Sequence, residues 1–115
     1  MNILDDIQRI LNPLNVPFET GIFTEPAPEQ YLVIVPLIDK FELYADNLPL
    51  ADVQEARISV YSKGNYQRLK KQVISAFLEA GYIISQRQYI GYETETGYFH
   101  YNIDVTTFYE TEETT

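Results

Sequence analysis

Residues 56–82, ARISVYSKGNYQRLKKQVISAFLEAGY, decide how the rest of this chain can fold. The first six alternate, with Ile58 and Val60 to one side and Arg57, Ser59 and Tyr61 to the other, as a strand with one buried face requires. Lys63-Gly64 breaks that alternation. Asn65 then stands where an N-cap belongs, its side-chain oxygen suited to an orphan amide of a first helical turn. From Tyr66 the period changes: Tyr66, Leu69, Val73, Ala76, Phe77 and Ala80 form one apolar stripe. Gln67, Arg68, Lys71, Gln72, Ser75 and Glu79 cover the opposite side. Gly81 supplies the left-handed stop. Strand, break, capped helix and glycine make one half of a small α+β domain.

Toward the C-terminus, residues 82–90 and 98–109 read as two strands joined by GYETETG at 91–97. In the last strand Phe99, Tyr101, Ile103, Val105, Thr107 and Tyr109 share the face built for the core. Tyr98, His100, Asn102, Asp104, Thr106 and Phe108 occupy the face left to solvent or a partner. Residues 110–115 are acidic, lack an apolar anchor and are expected to fray, which leaves 1–109 as a single domain.

Toward the N-terminus, Ile3, Leu4, Ile7, Ile10, Leu11 and Leu14 recur at helical spacing behind Asn2 as cap, with Asp5 and Asp6 in the first turn. Pro13 limits this helix to residues 3–11. Residues 15–23 are expected as a short extended segment or edge strand, and TEPAPEQ at 24–30 as a stiff connection. The run 31–35, YLVIV, reads as a central strand closed by Pro36. Residues 41–46 alternate as a half-exposed strand, and NLPLADV at 47–53 is expected to be a loop displaying Leu48 and Leu50. The order is α-β-β-β-α-β-β: an α+β fold, with a small mixed or mostly antiparallel sheet and two helices packed on one face.

Composition limits the chemistry. The chain has 115 residues, no cysteine and one histidine, so disulfides, thiol catalysis, cysteine-ligated metals and paired histidine ligands are excluded within one chain. His100, on the polar face of the last strand, is expected to be a surface residue, with Asp104 roughly 13 Å along the strand and too far to share an ion. The acid pairs Asp5-Asp6, Asp39 with Glu42, and Glu110 with Glu112 and Glu113 lie on solvent faces, in loops or in the tail. A working acid–base pair needs burial and unlike surroundings. The serines lack a nucleophile-elbow context, and no glycine-rich phosphate cradle occurs. No catalytic, cofactor or metal site is expected, and the chain does not read as an enzyme.

Seventeen acidic against eight basic residues give a formal charge of −9, which opposes specific nucleic-acid binding and anionic lipid. No apolar run approaches the ~20 residues of a membrane span, and the acidic start MNILDDIQRI does not resemble a secretion signal. Ten tyrosines are present, six of them at 82, 89, 92, 98, 101 and 109. Tyr101 and Tyr82 suit the core. Stacking on single-stranded nucleic acid needs a basic groove as well. For Tyr89, Tyr92 and Tyr98, flanking the hairpin loop, a protein interface competes with plain exposure.

Residues 56–82, followed by a hairpin ending in YNIDVTTFY at 101–109, resemble the small tail terminator, or tail completion, proteins of long-tailed phages and prophages. The resemblance extends to the opening helix and middle strands and rests on polarity pattern. It implies an α/β subunit that assembles with itself as a hexameric ring on the head-proximal end of the tail tube. There it would meet the major tail protein and the head-side connector protein, stop tube growth and allow head joining. The implied location is the host cytoplasm during assembly and then the virion tail. A head-completion or neck protein is the neighbouring alternative; an acidic monomeric regulatory binder or DNA-mimic inhibitor is the alternative from another class. A ring needs two different surfaces per subunit. Leu48 and Leu50 on one side and Tyr89, Tyr92 and Tyr98 on the other are the candidates.

Overall fold

The structure, a computed structural model, describes residues 2–22, 27–45 and 48–110, with the side chains of 40–50 outside the description. Helix α1 (Ile3–Leu11) and a 3-10 turn at Asn12–Leu14 precede strands β1 (Phe18–Thr20), β2 (Gln30–Ala45) and β3 (Leu48–Ser62). Helix α2 (Tyr66–Glu79) follows, then β4 (Ile83–Glu93) and β5 (Tyr98–Glu110). The five strands form one sheet in the order β1-β2-β3-β5-β4. Only the β1–β2 pair is parallel, so the sheet is mixed and both helices lie on one of its faces.

Both helices form where their caps and stripes place them. Asn2 Oδ1 accepts from Leu4 N at 2.8 Å, and Asn65 Oδ1 from Gln67 N at 2.9 Å. Pro13 lies in the 3-10 turn, past the end of α1. Gly81 ends α2 at φ +84°, a conformation a side chain would strain. A further device is not local: buried Gln54 of β3 accepts the Ile3 amide at 3.0 Å, satisfying a helix-end donor from across the core.

The stripes meet between the layers. Ile7 and Leu11 of α1 and Val73 and Phe77 of α2 are sealed against Leu32, Ile34, Ile58, Val60, Ile103 and Val105 of the three central strands. Register explains the choice of face: Leu32 pairs with Val60, Ile34 with Ile58, and Ile58 with Ile103, so alternate residues stack in rows beneath the helices. Tyr82 and Tyr101 join this core.

Two strand boundaries differ from the sequence expectation. Pro36 does not close the second strand, and 31–35 and 41–46 are not separate; β2 continues from Gln30 to Ala45. Leu32 N donates to Pro17 O and Gly21 N to Ile34 O, so the even-numbered residues of β2 turn their polar backbone toward β1. Pro36 follows in that series beyond the end of β1, where its missing N–H interrupts no bond to β3. The register shifts between Pro36 and Ile38, a bulge that takes up the distortion. Residues 48–53 are likewise strand rather than loop: β3 begins at Leu48, which pairs with Ala45, and Ala51 and Val53 are buried. A continuous β2 offers these residues a partner strand that the isolated segment does not reveal. Asn47 and the side chains of Leu48 and Leu50 lie outside the described residues.

Candidate interaction surfaces

Three surfaces can be built up from the fold: the sheet face without helices, the outer edge at β4, and the trough between α1 and α2. The first carries most of the polar chemistry. Arg57 and Asp104 are directly opposed on β3 and β5, and the guanidinium holds both carboxylate oxygens, Nε to Oδ1 at 2.9 Å and Nη2 to Oδ2 at 3.1 Å. These bonds outweigh desolvation and raise the Arg57 pKa further. Next along the ladder, Ser59 donates to Asn102 Oδ1 at 2.8 Å, and His100 Nε2 lies 2.9 Å from the same oxygen. As that oxygen accepts, the neutral imidazole carries its proton on Nε2. Burial lowers the His100 pKa, with the bond to Asn102 opposing.

His100 is therefore not the plain surface residue its strand position suggests. Its ring stacks on Tyr61 at 4.3 Å between centroids, and Tyr61 stacks on Tyr31 at 4.7 Å. The register makes this row, since Tyr31 pairs with Tyr61 and Tyr61 with His100. Tyr98 stands edge-on against both tyrosines, and Lys63 Nζ lies 5.1 Å from its ring centre. Burial is the main reason the Tyr31 pKa is pushed up to about 12, and it raises Tyr61 as well.

Tyr98 accordingly differs from expectation. It is 6% exposed, with its hydroxyl 2.6 Å from Pro28 O and 3.1 Å from Ala27 O. Those carbonyls are some seventy residues away in sequence, so no local pattern announces the contact. Tyr98 is a packing residue that ties the stiff 27–28 segment to β5, and it is separated from Tyr89 and Tyr92 by the alternation of the strands.

Tyr89 and Tyr92 occupy the helix side of β4, stacked on Tyr66 and tilted on Phe99 respectively, and each remains about half exposed at 47% and 49%. They belong to a larger feature. β4 is an edge strand of 11 residues, and Ile83 and Ile90 on it are exposed as well. Among the described residues no strand lies beyond its outer backbone groups, and it carries one cation, Arg87, and no proline. Natural edges are usually blunted by such residues. The blunting here is Arg87 and two register shifts, at Ile84/Gln86 and Tyr89/Gly91. The edge was not anticipated from sequence, because strand order is needed to know that β4 lies outermost.

The Leu48 end of β3 lies far from the tyrosines. β3 has 15 residues, so its ends stand roughly 45–50 Å apart at ~3.3 Å per residue, and Ser62 at the other end pairs with Phe99. The structure thus does not bring Leu48 and Leu50 together with Tyr89 and Tyr92 within one subunit.

The third surface is an open trough with a cavity volume of about 610 Å³ between the helices, to which Ile10, Leu14 and Ala76 contribute apolar surface. A second hollow continues it past Leu14 and Gln72 toward Arg68. Arg9, Arg68 and Lys71 line the two, against one carboxylate, Glu79.

Among the described residues there is no group of three or more histidine, cysteine or carboxylate side chains placed to hold a metal ion. No helix of the described residues is long and apolar enough to cross a membrane. No known family model and no curated protein matches the chain.

Proposed function

We propose that this chain is a structural subunit of the phage tail terminator kind. Copies of it assemble into a hexameric ring on the head-proximal end of a tail tube, end its growth and offer the opposite side to the head connector. Its place is then the host cytoplasm during assembly and the virion tail afterwards, and its work is contact rather than catalysis. The observation that carries this reading is the β4 edge: 11 residues of lightly blunted outer strand bearing exposed Ile83, Tyr89, Ile90 and Tyr92. Such an edge invites strand pairing or burial against another chain. The α-β-β-β-α-β-β order accompanies it, as does the resemblance carried by residues 56–109.

The test is direct. Purified chain is added to polymerising tail tubes of the phage or prophage whose genome carries it, and the tubes are imaged in negative stain. The reading expects caps at one end and a halt in elongation. Tubes that elongate unchanged beside a chain that stays monomeric overturn it.

A further inference from the structure

The β4–β5 turn and the inter-helix trough are complementary in charge and shape. The turn, residues 92–97, carries Glu93 and Glu95, both exposed, and no cation. It is also pre-shaped: Gly97 N donates to Glu93 O at 2.7 Å, Thr96 Oγ1 donates to Glu93 Oε1 at 2.9 Å, and Gly97 adopts φ +81°. Half-exposed Tyr92 stands at its base. A projecting acidic turn with a rigid aromatic beside it loses little conformational entropy on docking.

The trough offers the opposite. In a chain of net charge −9, its lining holds three of the eight cations, Arg68, Lys71 and Arg9, the last already ion-paired with Asp6, and Glu79 as the carboxylate among its lining residues. Ile10, Leu14 and Ala76 give it apolar surface suited to an aromatic ring. None of residues 92–97 lines it, so a β4–β5 turn seated there would come from another copy.

We infer that the acidic β4–β5 turn of one subunit docks in the basic-lined trough between α1 and α2 of the next, with Glu93 and Glu95 facing Arg68 and Lys71 and Tyr92 set against Ile10 and Leu14. The occupant is a second copy of this chain, since every copy displays both halves of the contact. Two different surfaces meeting head to tail generate a ring when the rotation closes. This inference rests on the ring reading and names the contact that builds it.

A charge exchange tests it. Arg68, Lys71, Glu93 and Glu95 are all exposed, so R68E/K71E and E93K/E95K are expected to keep the far-ultraviolet circular dichroism and melting profile of the parent. The second gives up the exposed Thr96–Glu93 side-chain bond, while the backbone bond from Gly97 N to Glu93 O still closes the turn. Each variant alone repels itself at the contact and should self-associate about tenfold more weakly at low salt, by sedimentation velocity. Mixed in equal amounts, the two should reassemble, because each trough then meets a turn of opposite charge. Variants that assemble as the parent does overturn the docking while leaving the ring reading intact. Folded variants that dissociate but fail to reassemble on mixing also overturn it. A parent that remains monomeric and caps no tube removes the ring reading and the docking together.

Discussion

On the helix side of the sheet, Ile58, Val60, Ile103 and Val105 are fully sealed beneath Ile7, Leu11, Val73 and Phe77. On the other side the same strands carry Arg57, Ser59, Asn102 and Asp104, and the last three are buried although no helix covers them. The first face is held by removing apolar area from water between two layers. The second is closed sideways, each polar group taking its partner from the neighbouring strand and the aromatic row shielding one end. A face whose donors and acceptors already pair across the ladder gains little from a covering partner. The regions that do gain are those without such pairing: the outer edge of β4 and the trough between the helices. On the proposed reading Tyr89 and Tyr92, half exposed, serve assembly, while Tyr31, Tyr61 and Tyr98 pack within the subunit.

The sharpest way to break this contrast is to truncate each face in turn. Phe77→Ala removes a fully buried ring from the helix side and should cost about 3–5 kcal/mol in urea or guanidinium unfolding. A cost below ~1 kcal/mol would mean that the layer interface is not where stability resides. Asp104→Ala on the other face strands Arg57 and should cost about 1–3 kcal/mol, less than a fully buried pair because Arg57 is 36% exposed. The paired change Arg57→Met with Asp104→Leu should recover most of that loss. Failure to recover would show that the ion pair does more than satisfy itself.

The aromatic row adds a pH signature. The Tyr31 pKa rises from 10.0 to about 12 on folding, so the native state holds its proton where the unfolded chain has released it. Stability is then full below pH 10 and declines as pH rises from there toward 12. Tyr31→Phe should move the alkaline unfolding midpoint upward. The smallest effect belongs to His100, whose pKa is lowered below 6.5 by burial, with Glu93 and Arg57 exerting opposite pulls. Here the unfolded chain binds the extra proton, so stability is full above pH 6.5 and falls as pH drops below it. His100→Gln should flatten that slope, and an unchanged slope would assign it to carboxylates elsewhere.

Legibility in the sequence followed the same division. The helices were readable to within one residue because caps, stripe and stop are local: Asn2 to Leu11, and Asn65 to Gly81, with α2 ending at Glu79 rather than Ala80. The core face of β5 was readable from alternation. Pro36 misled because a proline breaks a central ladder but not an edge, and whether it faces an edge depends on where β1 ends. The strand at 48–53 was hidden because its evidence is its partner, β2. Asp46-Asn47, two residues suited to a tight turn, was the signal that could have joined the two. Burial of Tyr98 depends on Ala27 and Pro28, and the His100–Tyr61–Tyr31 row on register, neither of which has a local signature. Of the candidate contact residues, the exposure of Tyr89 and Tyr92 was within reach of sequence because they stand close to an acidic turn. The trough proposed to receive such a turn was not, because it is assembled from two helices separated by three strands.

The central claim is self-association through two unlike surfaces, and sedimentation velocity of the unaltered chain over a wide concentration range measures it most directly. The account predicts that the 13.4 kDa chain gives way, as concentration rises, to one closed species of hexameric mass with no larger aggregates beyond it. A single 13.4 kDa species at every concentration would contradict it.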